Sequence, residues 1–235
     1  MKRTVEQALE KLRNPAKARF LQRFFKTGTG EYGEGDVFWG ITVPQQRAVA
    51  KQFKDADFAS LRKLLKSPVH EHRLTALIIL TLQYGKADPV GKKKIFNFYL
   101  KHKAGINNWD LVDLSAPNIV GEHLCGQDPA LLFRLALSKR IWDRRIAMLA
   151  AYAFIKNGDF VVPLRLAEVL VHDPHDLMQK AVGWMLREVG KRSLQAEQAF
   201  LDKYAADMPR TMLRYAIERF PEKKRLRYLR KSGGN

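Results

Sequence analysis

Apolar residues recur at helical spacing along almost the whole chain, and no convincing stretch alternates apolar and polar residues as a strand does. The pattern predicts an all-α protein of about a dozen helices, each of roughly 10 to 17 residues. Nine prolines each lie at the start of a helical pattern: Pro15, Pro44, Pro68, Pro89, Pro117, Pro129, Pro174, Pro209 and Pro221. Several of them fit the first turn of a helix, where the missing N–H costs nothing. Thr4 with Gln7, and Thr42 with Gln45, have the spacing of capping boxes.

A repeat becomes visible when the longer helical patterns are aligned. The segments HEHRLTALIIL, INNWDLVDLSA, WDRRIAMLAAY and LMQKAVGWMLR place Arg73, Trp109, Arg145 and Lys180 in one register, at intervals of 36, 36 and 35 residues. Such a period is typical of helix pairs that stack side by side, because one pair cannot bury its apolar face alone. The predicted fold is therefore a HEAT-like helical repeat solenoid, an α-α superhelix.

The predicted domain organisation is a single HEAT-like repeat domain over residues 1–235. The basic segment EKKRLRYLRK, residues 222–231, lies near the end of the chain. We expect residues 221–235 to form a basic C-terminal capping helix and tail, with Leu226 and Leu229 packed inward.

The charge balance indicates a polyanionic partner. Lys and Arg number 42 against 24 Asp and Glu, which gives a formal net charge of +18. Nucleic acid is the first candidate and an anionic membrane surface the second. Three of the four register positions carry Arg or Lys, so a repeated cation along a basic concave surface is expected to follow a phosphate backbone. The apolar runs are about half the roughly 20 residues of a membrane span, and a hydrophobic fraction of 46% argues against disorder.

Cysteine content and the first residues of the chain indicate a cytoplasmic protein. Cys125 is the only cysteine, so an internal disulfide is excluded and a reducing compartment is expected. The opening MKRTVEQALEKLRN is read as an amphipathic helix, not as a secretory signal.

Three segments superficially suggest a metal or a nucleotide cofactor, and none of them is expected to bind one. His70-Glu71-His72 and the stretch from His172 to His175 lack the HExxH pattern and a thiolate pair, so polar first helical turns explain them better. Gly28, Gly30 and Gly33 have GxGxxG spacing, but no strand precedes them and the surrounding acidic residues would repel phosphate. We predict a flexible surface loop over Lys26 to Thr42.

One helical segment combines an indole and an acid on the same face. Trp109 and Asp113 lie four residues apart in a segment that Asn107 or Asn108 can cap. The repeat places Arg145 in register with Trp109, and Trp184 in register with Asp113, so these four side chains are expected to converge on adjacent repeats. The alternative is that the tryptophans are repeat core and that Asp113 pairs with Arg145 in a salt bridge. Asp110 is a weaker candidate, because the helix dipole explains an acid in a first turn.

Four segments resemble the AlkD-type DNA alkylation repair proteins, which are HEAT-like repeat DNA glycosylases. They are NNWDLVD, WDRRIAML, KAVGWMLRE and GITVPQQR, and the similarity runs from about Phe20 to Phe220. The resemblance implies that Trp109, Asp113 and Trp184 flank a damaged nucleoside and that Arg145 is the active-site arginine. The chain departs from the family in its longer Gly-rich loop, and in Phe24 or Phe25 where some members carry an aromatic hydroxyl.

The resemblance implies a monofunctional glycosylase that releases cationic 3-alkyladenine and 7-alkylguanine from duplex DNA. It implies contact with the backbone and sugar, without a deep base-flipping pocket, metal or cofactor. We expect a monomer whose phosphate contacts are Arg47, Lys180, Arg187, Lys191, Arg210 and Arg214. Two alternatives remain: a non-catalytic DNA-binding repeat protein for damaged or branched DNA, and a repeat protein that binds an acidic protein partner.

Overall fold

The computed structural model describes residues 3–231 and confirms the all-α fold class. Within this range the chain forms fifteen α-helical segments of 3 to 17 residues, and its only extended pairing is an isolated parallel bridge between Val37 and Val69. The chain divides into two compact units, Met1–Ser115 and Ala116–Asn235. The prediction of one repeat domain over residues 1–235 stays a prediction.

The first unit is built around α5, which lies against α1, α3, α4 and α6. Its helices are α1 (Val5–Glu10), α2 (Pro15–Phe24), α3 (Val43–Gln52), α4 (Phe58–Leu65), α5 (His70–Lys86), α6 (Pro89–Lys101) and α7 (Trp109–Ala116), with a 3-10 turn at Lys103–Gly105. Every residue of α5 from His70 to Leu80 is buried, polar first turn included. A helix that is buried on all faces must satisfy its polar side chains internally.

Several of these helices begin at the capping residues that the sequence predicts. Both capping boxes are confirmed: Gln7 N donates to Thr4 Oγ1 at 3.3 Å, and Thr42 N donates to Gln45 Oε1 at 3.0 Å. Asn14 caps α2 through its side chain, with Pro15 in the first turn.

The second unit is organised around two long helices, α10 and α12. Its helices are α8 (Glu122–Leu124), α9 (Ala130–Ala136), α10 (Ile141–Lys156), α11 (Val161–Leu170), α12 (Asp176–Gly190), α13 (Leu194–Tyr204), α14 (Arg210–Ala216) and α15 (Glu222–Lys231), with a π-helical turn at Pro117–Gly121 and a 3-10 turn at Ile217–Arg219. α10 packs against α9, α11 and α12, and α12 packs closely against α14. A Cβ at Gly183 of α12 would lie 2.4 Å from the Met212 carbonyl oxygen, so glycine permits this approach.

The four register positions all fall within the first five residues of a helix, in α5, α7, α10 and α12. The prediction that a repeated cation at these positions follows a phosphate backbone fails at Arg73. Arg73 is 3% exposed and donates to Asp36 at 2.6 Å, and Arg145 is 5% exposed. The Arg73 guanidinium is therefore part of the packing of the first unit and does not present its charge at the surface.

The C-terminal helix α15 forms as predicted, but a different residue faces inward. Leu226 is 42% exposed and Leu229 is half-buried, whereas Tyr228 is 2% exposed and contacts the Phe220 ring. The expectation of an inward Leu226 was wrong because the aromatic ring takes the buried position of this turn. The tail predicted beyond Lys231, residues 232–235, lies outside the described residues.

Candidate functional site

Helix α7 carries the predicted pair of Trp109 and Asp113 one turn apart, and both side chains are half-buried. Of the two asparagines that could cap this helix, Asn108 does so. Its carbonyl oxygen accepts the first helical bond from Val112 N at 3.2 Å, and its side chain accepts from Trp109 N at 2.8 Å. Trp109 is therefore the first residue of α7, and the Asn108 side chain satisfies its backbone N–H.

The Trp109 ring lies against an aromatic cluster from the end of α2. It stacks with Phe25 at a centroid distance of 5.2 Å and an interplanar angle of 14°, and it meets Phe24 edge to face at 6.0 Å. Phe25 is 7% exposed and Phe24 is 54% exposed. Packing therefore fixes the orientation of an indole that still keeps part of its surface accessible. Of the two phenylalanines that the sequence left open, Phe24 is the accessible one.

His70 lies between two carboxylates next to this cluster. Its Nδ1 is 3.0 Å from Asp36 Oδ2, and its Nε2 is 2.8 Å from Asp110 Oδ2. The imidazole is 2% exposed and stacks with the Phe38 ring at 4.5 Å. Burial would lower the pKa of His70, but the charge and hydrogen bond of Asp110, together with the hydrogen bond of Asp36, raise it to about 9.

Asp36 joins three parts of the first unit. It is 5% exposed, and it accepts from His70, from Arg73 Nη2 at 2.6 Å and from Asn108 Nδ2 at 3.3 Å. Burial would raise the pKa of Asp36, but the hydrogen bond of His70 and the charge of Arg73 lower it. The Gly-rich segment is thereby attached both to α5 and to the cap of α7.

The prediction of a flexible surface loop over residues 26–42 is wrong for its second half. Asp36, Phe38, Gly40 and Ile41 are all buried. The Glu71 carboxylate of α5 accepts three backbone N–H groups, from Trp39 at 3.0 Å, Gly40 at 2.7 Å and Ile41 at 3.1 Å. These bonds make the end of the loop part of the core.

The first half of the loop uses its own acids to satisfy its glycines. Gly28 N donates to Glu31 Oε2 at 2.8 Å, and Gly30 N donates to Glu34 Oε2 at 2.9 Å. In a phosphate-binding loop these N–H groups would face the ligand. The GxGxxG spacing therefore reflects turn geometry here.

A largely apolar cavity of about 370 Å³ opens beside His70, between α2, the loop and the start of α5. Its walls include three phenylalanine rings and the edge of Asp110. The residues that line it include Phe20, Leu21, Phe25, Phe38, Ile41, Leu74, His70 and Asp110, together with the polar Lys17, Thr42, Gln46 and Glu71. In the part of the chain that the structure describes, no group of three His, Cys, Asp or Glu side chains is arranged to hold a metal ion.

The second unit holds the other two predicted site residues. Trp184 is half-buried on α12, and its Nε1 donates to Glu188 Oε1 at 3.2 Å, which fixes the indole along its own helix. Arg145 is 5% exposed on α10, and its Nη1 donates to the Leu177 carbonyl oxygen.

The six predicted phosphate contacts differ in how available they are. Arg47, Arg210 and Arg214 are exposed, and Arg210 also donates to the Leu229 carbonyl. The other three have acidic partners within their own unit: Lys180 with Asp176 at 2.6 Å, Lys191 with Glu188 at 2.6 Å, and Arg187 with Glu218. A phosphate would have to compete with those carboxylates, so the first three are the stronger candidates.

The family model for DNA alkylation repair enzymes matches residues 5–220 of the chain. The chain belongs to this family. Membership supports a role in DNA repair, with DNA as the target of the protein. One similar solved structure is described as a predicted DNA alkylation repair enzyme from Enterococcus faecalis; the TM-score is 0.70, the identity is 16%, and the match covers 89% of this chain and 97% of that one. This likeness confirms the helical repeat fold. No curated protein matches the chain.

Within residues 3–231, no helix of this family member combines the length and the apolar character that a transmembrane segment requires. Family membership by itself supports DNA as the polyanionic partner, and the basic composition agrees with that target.

Sequence reasoning missed the buried ionic cluster beside α7. It interpreted His70 and Glu71 as a polar first turn and Asp110 as a residue placed by the helix dipole. The available signal was the run HEHR at the start of an otherwise apolar helix, since four consecutive polar residues there require partners if the helix is buried.

Proposed function

We propose that this chain is a monofunctional DNA glycosylase that hydrolyses the N-glycosidic bond of cationic alkylated purines in duplex DNA. The substrates are 3-alkyladenine and 7-alkylguanine. One observation carries the proposal: α7 of a DNA alkylation repair family member presents a half-buried indole and a half-buried carboxylate one turn apart, at Trp109 and Asp113.

A single carboxylate is sufficient for this hydrolysis. A purine alkylated at N3 or N7 is already cationic, so the bond from C1′ to the purine nitrogen breaks with its electron pair moving onto the base, which leaves neutral. The sugar becomes an oxocarbenium-like cation, and the Asp113 carboxylate stabilises this charge more strongly than it stabilises the ground state. A water oxygen then bonds to C1′ and transfers a proton to Asp113. The products are the free base and an abasic sugar.

The tryptophans are proposed to face the positive charge of the lesion. Cation–π attraction of about 0.5 to 2 kcal/mol is available from each indole. Phe25 holds the Trp109 ring, and Glu188 holds the Trp184 ring, so little side-chain entropy is lost when DNA binds.

Arg145 is proposed to hold a phosphate near the lesion. Its Nη1 donates to the Leu177 carbonyl oxygen of α12, so the guanidinium is held between α10 and the start of α12, where it would meet the phosphate. The exposed Arg47, Arg210 and Arg214 are proposed to contact phosphates farther along the duplex. The protein acts as a monomer without metal or cofactor in this proposal.

The decisive experiment compares wild type with Asp113→Asn. Duplex oligonucleotides with a single 7-methylguanine are incubated with excess enzyme, and the released base is quantified by chromatography. We expect the single-turnover rate to fall about 100- to 10,000-fold while DNA affinity is retained. Asp55→Asn, at an exposed acid of the same unit, is the matched control and should behave as wild type.

Three outcomes separate the candidate functions. Release that depends on Asp113 and persists in EDTA supports the glycosylase. Release at the level of the enzyme-free background, with tight and salt-sensitive DNA binding, would establish a non-catalytic DNA-binding protein instead. Weak DNA binding in moderate salt would contradict both.

A further inference from the structure

We infer that His70 is a positioning residue: held as an imidazolium between Asp36 and Asp110, it fixes the first turn of α7 and thereby orients Trp109 and Asp113. Its effect on base release rests on the proposed function. Its effect on α7 does not, because the contacts that carry it lie within the first unit.

The hydrogen-bond geometry favours a charged imidazole between two ionised carboxylates. Both ring nitrogens lie within 3.0 Å of a carboxylate oxygen, one from Asp36 and one from Asp110. Carboxylates only accept, and a neutral imidazole has one N–H, so a neutral ring would leave one nitrogen lone pair facing an oxygen lone pair. The doubly protonated ring satisfies both contacts.

The charges around His70 also favour the imidazolium. The charged groups that face it are Asp36 from the loop, Asp110 from α7 and Arg73 from its own helix. Two carboxylates and two cations balance in this buried cluster, and the pKa of His70 is raised to about 9. Removing the imidazolium would leave the carboxylates facing a single guanidinium, which is unfavourable for buried charges.

The cluster is attached to α7 at two points in its first turn. Asp110 is the second residue of the helix and receives the His70 Nε2 hydrogen. Asn108, the cap, donates to Asp36 at 3.3 Å. First turns fray unless their groups are held, so these two contacts are placed where α7 is weakest. Trp109 lies between the two contacts, and Asp113 lies one turn farther along.

His72 provides a matched control. It lies on the same helix, is 6% exposed, contacts Ser67 Oγ through Nδ1 at 2.9 Å, and meets the Trp39 ring edge to face at a centroid distance of 4.5 Å. His72→Gln therefore repeats the removal of a buried imidazole from α5 while leaving both attachments of α7 in place. The effect of burial alone is measured by this control.

The experiment measures α7 directly. Imidazole ¹⁵N NMR of the wild type should show His70 with both nitrogens protonated at pH 7.5 and titrating near pH 9. In His70→Gln, amide exchange at residues 109–113 should accelerate more than exchange in α4 of the same unit, and in His72→Gln it should not. Single-turnover base release should fall about 10- to 100-fold in His70→Gln, with DNA affinity unchanged, because small displacements of reacting groups have effects of this size.

A neutral His70 at pH 7.5, or unchanged α7 exchange in His70→Gln, would overturn the inference. Equal losses of release in His70→Gln and His72→Gln would also overturn it, since burial would then explain both. Asp110→Asn is the second variant if His70→Gln does not fold; it keeps the shape of the side chain but removes the charge that faces Nε2, and the same α7 exchange is expected to accelerate. If wild type releases no base, the proposed function fails while the NMR and exchange results still decide the role of His70.

Discussion

Glu197 of α13 has a buried carboxyl group, so the pH dependence of the free energy of unfolding tests how this side chain is packed. Its side chain is 2% exposed, and its Oε1 has no hydrogen-bond partner among the described residues. A Cβ at Gly190 of α12 would lie 1.7 Å from Oε2, so the carboxyl occupies the space that this glycine leaves open. Burial raises the pKa of Glu197 to about 8, although the charges of Lys224 and Arg187 lower it.

The sign and size of the effect follow from that pKa. Below pH 4.5 the carboxyl is protonated in both the folded and the unfolded chain. Between pH 4.5 and pH 8 the unfolded chain loses the proton and the folded protein keeps it, so the free energy of unfolding falls by about 1.4 kcal/mol per pH unit. At pH 7 the loss amounts to about 3 kcal/mol. Glu197→Gln removes this titration, because an amide of nearly the same shape carries no ionisable proton.

The assay is urea denaturation of wild type and Glu197→Gln at pH 5 and pH 7. We expect the variant to gain about 2 to 3 kcal/mol relative to wild type between these two pH values. Glu222→Gln, at an exposed position of α15, is the control and should gain nothing. An identical difference between wild type and Glu197→Gln at both pH values would show that the folded protein ionises Glu197 normally, and the reasoning from burial would be refuted.

Two further predictions concern packing and DNA binding. Gly183→Ala should destabilise the protein by about 1 to 3 kcal/mol in urea, because the added Cβ would lie 2.4 Å from the Met212 carbonyl oxygen. Gly85→Ala, at a helical glycine of α5 with no atom within 4 Å of the added Cβ, should instead stabilise it by about 0.5 to 1 kcal/mol; equal effects would contradict the close approach of α12 and α14. Arg47→Gln should weaken DNA binding and reduce the slope of log affinity against log salt by about 1, measured by fluorescence anisotropy, and an unchanged slope would remove Arg47 from the interface.

The half-buried state of Trp109 is compatible with both interpretations of the sequence, a tryptophan of the repeat core and a tryptophan of the functional site. A tryptophan at helical spacing is typical of packing, and the ring does stack with the buried Phe25. It also keeps accessible surface beside Phe24, which is 54% exposed. An indole fixed on one side and accessible elsewhere suits a binding surface, because its orientation is set before the ligand arrives.

The repeat register predicted the position of Arg145 along its helix but not its burial. The repeat places it near the start of α10, and the structure agrees. The repeat carries no information about burial, and the guanidinium is 5% exposed with a backbone carbonyl as partner. Its phosphate contact stays a prediction.

The helices and their first turns could be read from the sequence because they depend on residues within one or two turns of each other. The capping boxes at Thr4 and Thr42, the pairing of Trp109 with Asp113 on one helix face, and the helical periodicity are all local. The motif segments also sufficed to predict the family, which the match over residues 5–220 confirmed.

The ionic cluster around His70 could not be predicted from local sequence patterns, because its residues are far apart in the chain. Asp36 meets His70 across 34 residues and Asn108 across 72, and these contacts depend on where the loop, α5 and α7 meet in the first unit. No periodicity encodes such a meeting. Periodicity depends on residues that are close in the sequence, whereas the packing of whole helices and loops determines which group lies next to a buried charge. The role of the Gly-rich loop therefore became visible only in the folded unit.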